Sequence, residues 1–239
     1  MAVYVYSIVA DGHPCRLDGL TGVGSETGPL RTVTAAGLRA VVSDVDEAVR
    51  PARRDLTAHQ AVQERLLADG TVLPLRFGYT APDTGAVEAA LEAGAASYLD
   101  TLGRLQGCAE YHVKASRDEE SLLREILDGS GRARLLNDRI RAGDADPRLP
   151  LQLGELVAAE VRDRQEALAA DLVRELVPYA REHAVHPPAG DGGVLGVSLS
   201  LLVADDRQAR LREAEADLAE RAGGVDLRLI GPLPPYSFV

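Results

Sequence analysis

Five histidines, His13, His59, His112, His183 and His186, are the side chains of this sequence best suited to metal ligation or proton transfer. His183 and His186 stand three apart, a spacing that could place two imidazoles on one helix face as metal ligands. Pro187 follows at once and no Cys, Asp or Glu stands nearby at a matching ligand spacing. The pair therefore reads as an exposed helix end, where cations favour the helix dipole. His59, Arg76, Glu110 and Lys114 form a second set, a histidine in the first turn of a helix and three residues on strands, which could line a polar pocket for an anionic ligand. No nucleophile, base and orienting group can be assembled around them. The plainer reading is a salt-bridge network that sets how helix packs on sheet. The serines offer no G-x-S-x-G elbow. The segment GVGSETG at 22–28 is Gly-rich but lacks the phosphate-cradling spacing, and no Lys follows it. The acidic pairs Glu119–Glu120 and Asp205–Asp206 fall at helix N-termini, where the dipole accounts for them. Cys15 and Cys108 show neither metal-ligand nor redox spacing and read as structural thiols. No metal site, cofactor or catalytic set is expected.

The elements that would carry these residues follow from periodicity. Val3–Val9 is a β-branched and aromatic run and reads as a buried strand. Residues 31–34 and 38–43 flank an Ala-Ala-Gly turn and predict a hairpin. Thr57, with Gln60 three residues on, reads as the capping box of a helix that Gly70 stops. VLPLRF at 72–77 reads as a strand that Pro74 confines to an edge or a bulge. Thr84 opens a second helix running to about Leu105. In the strand Ala109–Ala115, alternation sets Tyr111 and Val113 on one face and His112 and Lys114 on the other. A short acidic helix is expected over 118–127, loops at DGSGR and GDADPRLP, and a long amphipathic helix from Leu153 to His183 with a kink expected at Pro178, stopped by Pro187, Pro188 and a DGG turn. A strand at 194–203, a helix at 207–221 and a last strand at 225–230 complete the pattern. The tail GPLPPYSFV is expected to be non-helical, and either to pack back onto the domain or to offer an apolar peptide to a partner. The sum is an α+β protein of two α/β domains. The first spans 1–117. The second, 118–239, is a modified ferredoxin-like sheet with helices packed on it and a Pro-rich tail.

Composition narrows the function. The 239 residues carry 26 basic and 37 acidic side chains, a formal net charge of −11, which argues against an open nucleic-acid surface or an anionic membrane face. Hydrophobic residues make up 46% and charged residues 26%, as in a globular protein with a sizeable core that needs no disulfide or metal staple. Lys114 is the sole lysine, in keeping with GC-rich coding bias. No signal-peptide pattern opens the chain and no run approaches about 18 apolar residues, so a soluble cytoplasmic protein is expected. There are only two phenylalanines, Phe77 and Phe238.

The phrase His59–Gly78, HQAVQERLLADGTVLPLRFG, resembles a motif of the gas vesicle GvpF/GvpL family, which runs from a helical His to an extended LP-x-RFG. VYVYSIV, LRAVVSDV at 38–45, AEYHVKA at 109–115 and the tail GPLPPYSFV resemble the same family in the same order, so the likeness covers nearly the whole chain. Departures are Leu233 and Tyr111 where family members often carry Trp, and Ser198 and Leu201 in place of an Asn- and Tyr-containing strand motif. The resemblance implies a two-domain fold with a modified ferredoxin-like C-terminal unit. It also implies an assembly protein, not an enzyme, that is gas vesicle associated and binds the hydrophobic shell protein GvpA and other accessory proteins. It marks as motif or partner-contact candidates His59, Leu73, Pro74, Arg76, Phe77, Gly78, Glu110, Tyr111, Lys114, Pro234, Pro235, Tyr236 and Phe238. Binding would proceed by strand addition at the Pro74 edge or by a shell helix in an apolar groove. The alternative is an anion-binding enzyme or sensor that uses His59, Arg76 and Lys114.

Overall fold

The computed structural model describes residues 2–24, 28–46, 49, 51–186 and 195–239. Pro187, Pro188, the DGG turn and part of the GVGSETG segment lie outside the described residues. Contacts divide the chain into two compact units. One is Met1–Tyr111 with Leu202–Asp205 and Gly231–Val239; the other is His112–Leu201 with Asp206–Ile230. The C-terminal tail thus belongs to the first unit.

The first unit is built on a sheet of β1 (Ala2–Ala10), β2 (Arg31–Ala35), β3 (Leu38–Val45), β4 (Leu73–Pro74) and β5 (Thr80–Ala81). The order is β2-β3-β1-β4, with β5 also paired to β1, and the pairs β1–β3, β1–β4, β1–β5 and β2–β3 are antiparallel. The β2–β3 hairpin closes through Ala36 and Gly37, both at positive φ, the two-residue turn that matches strand twist. Two helices, α1 (Arg53–Asp69) and α2 (Thr84–Leu105), supply further apolar side chains. Val3, Val5, Ile8, Ala40 and Val42 pack with Val87 and Leu91 of α2. Tyr4, Tyr6, Val9, Val41 and Val45 pack with Val62 and Leu66 of α1. Strand β1 changes parity between these clusters because its register with β3 shifts between Val5 and Ser7. Such a bulge opposes two residues to one and turns both to the same side.

The capping box at Thr57 is corrected. α1 starts four residues earlier, and the Thr57 hydroxyl donates back to the Arg53 carbonyl at 2.9 Å from within the helix. Gln60 bonds Glu64, not the helix start. Ala52 caps α1 without a side-chain bond, whereas Asp83 caps α2 by accepting the Ala86 amide at 2.8 Å. The strand at 72–77 is shorter than expected: only Leu73 and Pro74 pair, at the edge of the sheet, because proline has no amide to extend the ladder.

The second sheet has the order β7-β8-β6-β9, with β6 (Cys108–Arg117), β7 (Glu182–His186), β8 (Leu195–Ala204) and β9 (Val225–Leu233). It is antiparallel. With helices between β6 and β7 and between β8 and β9, this is the β-α-β-β-α-β ferredoxin-like arrangement. It is modified in that the first crossover holds three helices, α3 (Glu119–Gly129), α4 (Gly131–Arg141) and α5 (Arg148–Leu176); α6 (Gln208–Arg221) forms the second.

Three expectations change here. The DGSGR segment is not a loop: Ser130 ends α3 and starts α4, its Oγ accepting the Ala133 amide at 3.2 Å. α5 begins at Arg148 and ends at Leu176, where Pro178 converts the chain to a single 3-10 turn. His183 and His186 therefore sit on a strand, not a helix end. An odd separation on a strand points them to opposite faces, so they do not form a two-ligand metal site and no helix dipole acts on them. His186 Nε2 instead bonds Ser200 Oγ at 2.7 Å. The tail is also not wholly irregular: β9 runs on to Leu233, and Tyr236–Phe238 form one 3-10 turn. The prolines precede that turn, which needs only the Phe238 amide and the Pro235 carbonyl.

Candidate functional site

Within the first unit, a buried polar and aromatic cluster forms where β1, α1, the 75–79 turn and the tail converge. β1 supplies Tyr4 and Tyr6, both wholly buried, on the side it shares with α1. α1 supplies His59 and Gln63, four residues apart and therefore on one helix face. The gap between β4 and β5 lets the chain leave the sheet edge, so Phe77 sets its ring edge-on to Tyr4 and His59 at centroid distances of 5.8 and 5.7 Å. Tyr6 lies 4.8 Å from Tyr4 and stacks against His59 at 5.6 Å.

The hydrogen bonds leave little slack. The Tyr4 hydroxyl oxygen accepts the Gly78 amide at 3.0 Å and lies 2.9 Å from His59 Nδ1. His59 Nε2 lies 3.0 Å from the Tyr236 hydroxyl and 3.3 Å from Gln63 Nε2, and hydrogen-bonds both. Gln63 itself is satisfied, donating to the Tyr6 carbonyl at 2.6 Å and accepting Ser7 Oγ at 2.5 Å. The Tyr6 hydroxyl bonds Ser43 Oγ at 2.9 Å and accepts the Val23 amide at 2.8 Å.

Burial decides the charge state of the cluster. It pulls the His59 imidazole down to about 4, so the ring is neutral at pH 7. It pushes Tyr236 up to about 12 and raises Tyr4 and Tyr6, so all three phenols keep their protons. A neutral imidazole between two phenols orders chain segments. It presents no positive charge to an anion.

The tail is tied down at three further points inside this unit. The wholly buried Glu110 carboxylate accepts the Ser237 amide at 2.9 Å and the Ser237 hydroxyl at 2.5 Å. Arg104 Nη2 donates to the Phe238 carbonyl at 2.6 Å. The Phe238 ring packs with Leu105, Cys108, Leu202 and Ala204. Gly231 makes a close approach to β6: a Cβ there would lie 2.6 Å from the Tyr111 ring and 2.9 Å from the Glu110 carbonyl. Pro234 and Pro235 are buried, and Val239 is exposed.

The residues marked from sequence thus separate. His59, Phe77, Gly78 and Tyr236 meet in one cluster, and Glu110 fastens the adjoining tail residue. Leu73 and Pro74 are buried on β4, and Tyr111 is buried beneath Gly231. Arg76 turns outward and is exposed; Lys114, also exposed, belongs to the second unit. Tyr4, Tyr6, Ser43, Gln63 and Ser237 were not singled out from sequence. The i, i+2 tyrosines and the i, i+4 pair His59–Gln63 were the available signals. Among the described residues no group of three or more His, Cys, Asp or Glu is placed to hold a metal ion.

The same unit holds an apolar cleft of about 310 Å³ over the α2 side of the sheet. Val5, Ile8, Val87 and Leu91 line it together with Ala90, Tyr79 and Tyr98.

Comparison with known proteins extends the picture. The family model described as "Gas vesicle synthesis protein GvpL/GvpF" matches residues 2–239. Gas vesicle protein F of Streptomyces sp. (strain CB03234) is 40% identical over 240 residues, covering 100% of both chains. Gas vesicle protein L of the same strain is 30% identical, covering 98% of this chain and 91% of its own. The crystal structures of GvpF from Anabaena sp. PCC7120 and from Microcystis aeruginosa, each 21% identical, superpose with TM-scores of 0.83 and 0.80. Both cover 99% of this chain, and 97% and 98% of their own.

Proposed function

From the premise that this chain belongs to the GvpL/GvpF family of gas vesicle synthesis proteins, we propose that it is an accessory protein of gas vesicle assembly that binds the hydrophobic shell protein GvpA. The observation that carries the reading is the family match along the whole chain. The higher identity to the F protein than to the L protein of one Streptomyces strain supports an F-type role.

The physical task is to keep an apolar shell subunit from aggregating in water before it joins the shell. A formal net charge of −11 favours solubility of such a complex. The α2 cleft supplies apolar surface for an amphipathic shell helix. This mode is favoured over strand addition at Pro74, since β4 has two residues and one of them lacks an amide. The reading includes association with gas vesicles, other accessory proteins as partners, and no catalytic step.

Co-expression of the affinity-tagged chain with GvpA, followed by co-purification, tests the reading. Retention of GvpA is expected. Failure to retain it, both alone and with the other accessory proteins present, overturns the direct-partner role.

No helix among the described residues is long and apolar enough to cross a membrane. The anion-binding alternative finds little support in a neutral, fully engaged His59 and an outward-turned Arg76.

A further inference from the structure

β9 is an outer strand of the second sheet: β6 pairs one of its edges, and no strand among the described residues pairs the other. Its residues alternate strictly. Val225, Leu227 and Leu229 are half-buried on one face, whereas the side chains of Asp226 and Arg228, on the other, are 54% and 70% exposed. Arg228 Nη2 lies 2.6 Å from Asp226 Oδ2, an ion pair within the one strand. Gly224, at φ 77°, ends the extended run just before Val225. An open edge that carries three half-buried aliphatic side chains is a template for another strand.

The charges select which strand. A second β9 laid antiparallel to the first, about a two-fold axis normal to the sheet, turns opposed residues to the same face, so every register sets one residue against its own copy. Centred on Asp226, two carboxylates meet. Centred on Arg228, two guanidinium groups meet. Like charges directly opposed are destabilising. Centred on Leu227, between these two, each copy's Asp226 faces the other's Arg228, and each Val225 faces a Leu229. The strand is therefore complementary to itself in one register and repelled in the registers on either side.

We propose that β9 pairs with β9 of a second copy of this chain, antiparallel and centred on Leu227, so that two four-stranded sheets join into one of eight strands. The ladder spans Val225–Leu229, about 17 Å. Main-chain hydrogen bonds and burial of Val225, Leu227 and Leu229 hold the two copies together. The crossed Asp226–Arg228 contacts fix the register more than the affinity, since exposed ion pairs contribute little net stability.

Sedimentation velocity of the full chain over a concentration series tests this, with thermal unfolding as the control on the fold. A monomer–dimer equilibrium is expected. D226R places arginines at both positions of each copy, and R228D places carboxylates at both, so each variant alone should dimerise at least tenfold more weakly. Mixed in equal amounts, the two variants should associate as strongly as the unaltered chain, since each copy supplies the sign that the other needs. D226R/R228D exchanges the charges and keeps the register, so it should dimerise like the unaltered chain. Both positions are exposed, and melting temperatures should change little. A chain that stays monomeric at about 1 mM overturns the proposal and leaves the edge to a strand of another protein. Single variants that dimerise undiminished, single variants that fail to associate when mixed, or a dimer lost in D226R/R228D also overturn it.

Discussion

His59 Nε2 and the Tyr236 hydroxyl stand 3.0 Å apart although 177 residues separate them in the chain. The bond joins the first helix to the last turn of the protein, and on its far side His59 continues to Tyr4 of the first strand. Removing the hydroxyl in Tyr236→Phe takes this hydrogen-bond partner from a buried imidazole nitrogen. The expected cost is about 1–3 kcal/mol, read as a lower urea midpoint with an unchanged slope.

His59 also gives stability a pH dependence of defined sign. Its folded value, about 4, lies below the ordinary 6.5, so between these values the unfolded chain takes up a proton that the folded chain refuses. The contribution is complete above about pH 6.5 and is lost as pH falls toward 4. The loss is about 2–3 kcal/mol. Urea unfolding at pH 7.5 and pH 4.5 measures it, and His59→Gln, which has no titrating ring, should show a smaller drop by that amount.

Gly231→Ala tests the close approach beneath the tail. The added methyl would meet the Tyr111 ring and the Glu110 carbonyl well inside contact distance. A destabilisation of about 1–3 kcal/mol is expected from overpacking. Proteolysis at the C-terminus should quicken in parallel, since Gly231 leads into the tail whose Ser237 bonds the Glu110 carboxylate.

Phe77→Ala separates packing from partner contact. The ring is only partly buried but lies edge-on to both Tyr4 and His59. Its loss should cost about 2–3 kcal/mol, less than a fully buried phenylalanine. Thermal unfolding gives this number; an unchanged melting temperature with lost GvpA retention would instead make Phe77 a contact residue.

The proposed shell-protein groove is checked by Ala90→Glu. Ala90 is exposed and lines the α2 cleft, so stability should change by no more than about 0.5 kcal/mol. A carboxylate there should abolish co-purification of GvpA if the cleft receives an apolar helix. Undiminished retention would place the interface elsewhere.

The pattern of apolar residues was a sound guide to most elements. The hairpin at 31–45, the helix from Thr84 to Leu105 and the strand around Tyr111 all follow from periods of two or 3.6 that need no distant partner. The guide failed where local signals compete. Thr57 with Gln60 looks like a helix start, but a hydroxyl inside a helix can donate to the carbonyl four residues back, as Thr57 does. The run beyond Leu176 keeps a helical rhythm in sequence, yet Pro178 withholds an amide and Glu182–His186 joins a sheet. Ser130 follows an Asp-Gly pair that reads as a loop, and one hydroxyl there suffices to start a new helix.

Family membership and the two classes of element were therefore written in the sequence itself, because motif order and periodicity are properties of neighbouring residues. What the tertiary structure alone decided is the assembly of the buried cluster. The bulge between Val5 and Ser7 changes which side of the sheet each β1 residue faces, and no spacing in the sequence announces it. Glu110 shares the parity of the outward-facing His112 and Lys114, yet it is wholly buried, because Ser237 returns from the far end of the chain to bond its carboxylate. A buried polar group is tolerated only when a partner reaches it, and for His59 and Glu110 that partner lies more than a hundred residues away.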